Sequence, residues 1–428
     1  MRFNIVTDKG NYKYDNVLNT VSFGNSDSLI DYSALAEIIP AKHCNDIVPF
    51  DFTDEKYPYP KKDKKIRHLK IQVGTNCNYK CAYCIQAMGN YKEVPVVKKD
   101  DIDRFFDLLD NSDVELLPKA KIHLWGGEPL VYWKALIYLI PELRKRYPES
   151  EIWFVSNGSL LTEDKLQFLL KHKVDLSFSH DGPAYFLRGK DPLDDKNLHA
   201  LWVRAKELYA ANSLSFSINA VINQYNADLY QLDSFLVNKF GEDIQYKYED
   251  TVIVHSENAV NYIYFPKKAQ QALESSVLRA VLEKDAASQR VNAALYSRLL
   301  DMLQMLVYRI PSAVIKARCN AADTDVLSVD LLGNVISCHN VSVESQTLGT
   351  LLEYNAVKVN KFKHWSLRSN CPSCPYLISC KGNCIRNSDF LHNQGCASKK
   401  ALGYALLKAC WFLLNGSIIK EIIYDEED

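Results

Sequence analysis

GTNCNYKCAYC, residues 74–84, sets Cys77, Cys81 and Cys84 in a CxxxCxxC run directly after an apolar segment, IRHLKIQV (66–73). Iron-sulfur clusters of the four-iron type normally take four thiolates. Three at this spacing leave one iron without a protein ligand and open to a small molecule that chelates through amino and carboxylate groups. A structural zinc site would instead want four ligands in a short loop. Between Lys61 and Asp101 the only other Cys or His is His68, upstream on the apolar segment.

Outward from this loop, apolar runs alternate with helical patterns. IRHLKIQV precedes DIDRFFDLLD (101–110), KIHLW (121–125) precedes a helical stretch over 132–147, and EIWFVSNG (151–158) precedes TEDKLQFLLKH (162–172). VDLSFSHDG (174–182) and LHALWVRAKELYAAN (198–212) follow, then SLSFSINAVIN (213–223), DLYQLDSFLVNKFG (228–241) and DIQYKYEDTVIV (243–254). Strands alternating with helices of this length argue for parallel βαβ units. Six such units predict an α/β fold, a partial (β/α)6 barrel, with reactive groups at the carboxyl ends of its strands.

Three turn motifs fall at those ends. GGEPL (126–130) follows the second strand, and its Gly126 and Gly127 permit close backbone approach to a ligand. Ser156 and Asn157, in SNG, end the third with groups able to bond a carboxylate or ribose, and SHDGP (179–183) ends the fourth. Taken with the CxxxCxxC run and Tyr83 before its last Cys, residues 66 to about 254 resemble the core of the radical S-adenosylmethionine (SAM) enzymes, whose GGE motif matches Gly126, Gly127 and Glu128. The resemblance implies a 4Fe-4S cluster on Cys77, Cys81 and Cys84, SAM on its open iron, and cofactor contacts from Tyr83, Gly126, Gly127, Glu128, Ser156 and Asn157. It also implies reductive cleavage of SAM to methionine and a 5'-deoxyadenosyl radical that abstracts hydrogen, with an external donor such as flavodoxin or ferredoxin supplying the electron.

Cysteines become dense again near the C-terminus, as Cys319, then Cys338 in GNVISC, then Cys371, Cys374, Cys380 and Cys384, then Cys396. This order resembles the SPASM module, which holds auxiliary iron-sulfur clusters in peptide-modifying radical SAM enzymes. The resemblance implies two auxiliary 4Fe-4S clusters, one on Cys319, Cys338 and Cys384, the other on Cys371, Cys374, Cys380 and Cys396. The fullest SPASM pattern carries a further Cys shortly after the first, where this chain reads CNAADTDV (319–326). The first cluster therefore has either an open iron or an oxygen ligand such as Asp323 or Asp325. A zinc ribbon is the structural alternative. Cys44 and Cys410 belong to neither pattern and carry no assigned role.

Implied function follows the same resemblance: maturation of a ribosomally made precursor peptide, leader plus core, by an intramolecular crosslink, either carbon-carbon (including cyclophane) or thioether. An anaerobic sulfatase-maturating, formylglycine-forming enzyme is the first alternative. Such enzymes carry Asp directly after the Cys of the GxxxxC motif, whereas this chain has His339, a candidate base with a near-neutral titration range. An iron-sulfur electron carrier or zinc-stapled scaffold is the alternative outside enzymology, but it gives the open three-Cys run and GGEPL no purpose.

Composition bounds these readings. With 51 basic and 52 acidic side chains and a net charge of -1, the 428 residues carry no electrostatic footprint for nucleic acid or an anionic membrane. The N-terminal residues lack a signal-peptide pattern and no apolar run is of membrane-spanning length, so the expected location is cytoplasmic. There, clustered Cys read as metal ligands rather than disulfides. The expected order is an N-terminal hairpin and short helix (1–65), a reduced leader-peptide element or plain packing on the barrel; the radical SAM barrel (66–265); a helical bridge (266–318); the auxiliary-cluster domain (319–400); and a C-terminal helix (401–428).

Overall fold

The computed structural model describes residues 1–24, 26, 28–40, 60–86, 98–251, 264–312, 319–338, 340, 346–359, 364–384 and 386–424. Two sheets organise them. The larger has nine strands, and its central run follows chain order: β4 (Lys65–Gly74), β5 (Glu115–Gly126), β6 (Glu151–Ser156), β7 (Val174–Ser179), β8 (Phe216–Ile222) and β9 (Tyr246–Thr251), all parallel. The helices α1 (Lys99–Asp110), α2 (Trp133–Arg146), α3 (Glu163–Lys171), α4 (Lys196–Ala211) and α5 (Leu229–Phe240) make the crossovers between them. This is the mainly parallel α/β architecture expected from the alternation of apolar runs.

Local chemistry starts these helices where the chain needs them. Thr162 and Asp195 accept N–H bonds at the first turns of α3 and α4, and Asp228 does the same for α5. Alternation along the strands then sorts the side chains. Leu69, Ile71, Ile122, Leu124, Ile152, Phe154, Leu176 and Phe178 are buried in the apolar core. Because successive strand residues point to opposite faces, the register pairs Lys70 with His123, Gln72 with Trp125 and His123 with Trp153 on the other face. That face is polar and aromatic, and it continues through Ser177, Ser217, Asn219 and Glu249.

After β9 come α6 (Lys267–Leu282) and α7 (Ala286–Val307), the helical bridge. The chain then returns to the same sheet. β10 (Val326–Asp330) pairs parallel with β4, Val326 opposite His68 and Asp330 opposite Gln72, and β11 (Asn334–Ile336) and β12 (Thr347–Thr350) extend it antiparallel. Residues from the cysteine-rich region thus flank the strand that feeds the CxxxCxxC loop. A single turn, α8 (Leu377–Cys380), and the long α9 (Asp389–Asn415) complete the C-terminal region.

The smaller sheet has the order β13-β1-β2-β3. β1 (Arg2–Thr7) and β2 (Asn11–Asp15) form the expected hairpin, β3 (Thr20–Phe23) joins it, and Ser33–Glu37 form one short 3-10 helix. The fourth strand, β13 (Ile419–Tyr424), pairs with β1. The C-terminal residues were expected to be helical throughout; instead α9 stops at Gly416 in the left-handed conformation and the chain turns into this strand. Trp411 packs edge-on to Tyr12 at 5.3 Å and to Tyr14 at 6.4 Å, joining α9 to the N-terminal hairpin.

Candidate active site

At the carboxyl end of β4 the cysteine loop lies against the GGEPL turn. A Cβ on Gly127 would come within 2.3 Å of the Asn76 carbonyl oxygen, and one on Gly126 within 2.8 Å of the Gly74 carbonyl oxygen. These glycines are needed for the two loops to touch, whatever ligand the turn also meets. Glu128 N–H donates to the Asn76 carbonyl at 2.9 Å, and Asn76 N–H donates to the Tyr132 hydroxyl at 2.6 Å.

Glu128 is 1% exposed and its carboxylate is fully engaged. It accepts from Leu130 N–H at 2.9 Å, the Ser156 hydroxyl at 2.7 Å and Asn157 N–H at 2.7 Å. Burial raises its pKa and these three bonds pull it back. The Glu128 and Ser156 side chains therefore hold the second and third strand ends together, a structural use that the motif reading alone did not separate from cofactor contact. Asn157 reaches the cysteine loop: its Nδ2 donates to Asn78 Oδ1 at 2.9 Å and lies 3.9 Å from Cys77 Sγ.

Cys77 is exposed, while Cys81 and Cys84 are half-buried. Ala82 N–H donates to the Leu187 carbonyl at 2.7 Å, tying this loop to the segment after β7. Burial pushes the Cys77 thiol up to about 11, and the nearby acidic groups Glu128, Cys81 and Cys84 add to that penalty on its thiolate. A cationic metal centre among the three thiols would reverse that penalty, and the donor set fits one. Tyr83 bonds Asp181, and Arg188 Nη1 donates to the Tyr83 hydroxyl at 2.8 Å. Asp181 also accepts from Val221 N–H at 2.9 Å. Asp181 and Arg188 escaped the sequence reading; their one signal was Asp181 within SHDGP.

The remaining thiols form two separate groups. Cys338 and Cys384 each feel Cys319, and Cys384 also feels Cys338; burial is the main cause of their raised pKa values, and that of Cys384 reaches about 11. This group lies near the polar face of β4. Lys70 Nζ donates to Asn320 Oδ1 at 2.6 Å, and Cys338 and Cys319 both favour its charged form. Asn340, whose N–H is 3.5 Å from Cys338 Sγ, accepts from Trp125 Nε1 at 2.7 Å. Asp323 and Asp325, the candidate oxygen ligands, bond Arg67 at 2.5 and 2.6 Å. Lys62 Nζ clamps the same loop through the carbonyls of Asp323 at 2.7 Å and Val326 at 2.8 Å.

Cys371, Cys374, Cys380 and Cys396 line one small pocket with His392, Lys399 and Lys400. Burial raises Cys371 to about 12 and Cys374 to about 11, and Cys380 adds to each. Cys410 is fully buried in the apolar core. His339 and Cys44 lie outside the described residues. Among the described residues no three His, Cys, Asp or Glu side chains converge tightly enough to hold a single metal ion.

The sequence profile of the radical SAM superfamily matches residues 71–190, which run from β4 through the loop after β7. A serine-type anaerobic sulfatase-maturating enzyme of Bacteroides thetaiotaomicron is 22% identical over 348 residues, 74% of this chain and 81% of the relative. The radical SAM cyclopropyl synthase TigE of Paramaledivibacter caminithermalis is 23% identical over 49% of this chain, which spans only 48% of that relative's length. The solved structure of native anSMEcpe with bound AdoMet superposes at a TM-score of 0.57 with 18% identity, covering 81% of this chain and 99% of the other. Among the described residues no helix is long and apolar enough to cross a membrane. Enzymes of the superfamily bind a 4Fe-4S cluster and SAM. The profile match rests on the segment that carries the three-Cys loop, so residues 71–190 form a radical SAM superfamily domain, in a chain that also has a cysteine-rich C-terminal region.

Proposed function

We propose that the chain matures a peptide, with a crosslink within a ribosomally made precursor as its product. Cys77, Cys81 and Cys84 would hold the SAM-binding cluster, and the two C-terminal thiol groups would hold the auxiliary clusters. When bound, the cluster and SAM supply a 5'-deoxyadenosyl radical that removes a hydrogen atom from the substrate. The chain's part is placement. Glu128 and Ser156 keep two strand ends at fixed spacing, and Asn157 joins them to the cysteine loop. A peptide would lie along the polar face of the parallel sheet, where Trp125 and Lys70 stand between the GGEPL turn and Cys338.

The observation that carries this reading is the nearness of the Cys319, Cys338 and Cys384 group to that face, through Lys70 and the Trp125–Asn340 bond. A group so placed suits removal of the electron left after bond formation. Flavodoxin or ferredoxin would serve as the external donor.

Sulfatase maturation is the second reading, favoured by the long match to the Bacteroides enzyme. Against it stand the absent auxiliary Cys, where Asp323 and Asp325 bond Arg67 instead, and His339 in place of Asp. Reconstituted enzyme, SAM and a reductant would be incubated anaerobically with neighbouring-gene peptides and with Ser- and Cys-containing sulfatase peptides. Loss of hydrogen from a precursor, with no carbonyl captured by a hydrazide, supports crosslinking. A hydrazide-reactive aldehyde on a sulfatase peptide supports the second reading, and unchanged masses throughout refute both.

A further inference from the structure

His392 occupies the first turn of α9, one turn ahead of Cys396, and is 1% exposed. Its Nε2 lies 3.3 Å from Cys371 Sγ and 3.7 Å from Cys396 Sγ. The ring's position is set by its backbone: His392 N–H donates to the Ser388 carbonyl at 2.9 Å, and the Ser388 hydroxyl caps the helix through Leu391 N–H at 3.3 Å. The segment carrying Cys371 is tied to the same helix, since Asn370 Nδ2 donates to Asn393 Oδ1 at 3.1 Å and Arg368 Nη1 donates to Asp389 Oδ1 at 3.4 Å. An imidazole is thus wedged between two thiols that lie 25 residues apart in sequence, in a pocket also edged by Lys399 and Lys400.

Resting on the reading of Cys371, Cys374, Cys380 and Cys396 as the ligands of an auxiliary cluster, the geometry points to His392 as a positioning residue that donates an Nε2–H···S hydrogen bond to Cys371, shared with Cys396, and so raises that cluster's reduction potential. The direction follows from charge. A thiolate bound to iron can only accept, so the tautomer carrying the proton on Nε2 is the one that fits. A donor aimed at sulfur favours the reduced, more negative cluster, and hydrogen bonds to sulfur are among the terms that set such potentials. Lys399 and Lys400 act in the same sense over a longer range. Neither of the other thiol groups has a histidine within bonding distance of a sulfur among the described residues.

The full-length protein, reconstituted anaerobically with iron and sulfide, provides the test as wild type, His392→Leu and His392→Gln. Iron and labile sulfide are counted, and each cluster's midpoint potential is read by redox titration with electron paramagnetic resonance. The expected result is unchanged iron in both variants, one SAM-insensitive midpoint moved to more negative potential in His392→Leu, and partial return in His392→Gln, whose amide still donates. Unmoved midpoints with full iron content would overturn the proposal. So would loss of one cluster's iron from His392→Leu that only His392→Cys restores, since His392 would then be a ligand. Wild-type protein holding iron for a single cluster defeats the underlying assignment of the thiols, a failure distinct from that of His392.

Discussion

At the residue scale, Glu128 does more for the site than its place in a short motif suggests. Three buried donors converge on its carboxylate, and each left without an acceptor costs about 1–3 kcal/mol. Glu128→Ala is expected to destabilise the protein by about 3 kcal/mol or more and to weaken SAM binding, measured by denaturant unfolding and by equilibrium dialysis of labelled SAM. Unchanged unfolding would show that water replaces the carboxylate at no cost. Asp285 offers a separate check, because it caps α7 by accepting from Ser288 N–H at 3.1 Å and the Ser288 hydroxyl at 2.7 Å. These bonds hold its pKa down, from 3.8 to about 2. A carboxyl group lowered on folding contributes above its unfolded value and loses that contribution as pH falls through the folded one. Stability should therefore fall more steeply between about pH 4 and pH 2 in the wild type than in Asp285→Ala, as followed by helical circular dichroism during urea unfolding.

At the scale of elements, the fold was legible wherever one segment carried its own period. The parallel strands from β4 to β9 stand out as apolar runs, and the intervening helices as apolar residues at helical spacing. What escaped depends on partners remote in sequence. β10 reaches β4 across more than 250 residues, and β13 pairs with β1 across the length of the chain; a short strand does not announce its neighbour. The same holds for the site. The cysteine runs stand out by their spacing, whereas Arg188, Lys62 and His392 act through contacts between elements and left no local pattern, and Asp181 left only its place in SHDGP. The glycines of GGEPL illustrate a subtler gap, since their conformational freedom was visible but the backbone they admit, that of residues 74–76, was not. Gly127→Ala is expected to push the cysteine loop away and cut iron in the SAM-binding cluster at least about tenfold, a displacement costing more than about 1.4 kcal/mol; full iron loading would contradict this packing account. Lys62→Met, which leaves carbonyls of residues 323 and 326 without their donor, is expected to lower occupancy of the first auxiliary cluster while sparing the SAM-binding one, as resolved by electron paramagnetic resonance.

Across the whole molecule, the chain is closed by its own ends. β13 completes the N-terminal sheet, the fully buried Trp411 of α9 packs on Tyr12 and Tyr14 of that sheet, and α9 itself packs on α6 and α7. Trp411→Ala removes its packing on Tyr12 and Tyr14 and should cost about 3–5 kcal/mol, lowering the thermal midpoint; a shift within error would mean that the two ends are held by other contacts. One group of C-terminal thiols lies near the polar face of β4, and the other lines a pocket at the start of α9. The most direct test of the account is spectroscopy of the anaerobically prepared full-length protein before and after addition of SAM. Iron and sulfide sufficient for three clusters are expected, with one signal altered by SAM and 5'-deoxyadenosine formed on reduction. Zinc in place of iron, or cluster signals indifferent to SAM, would contradict it.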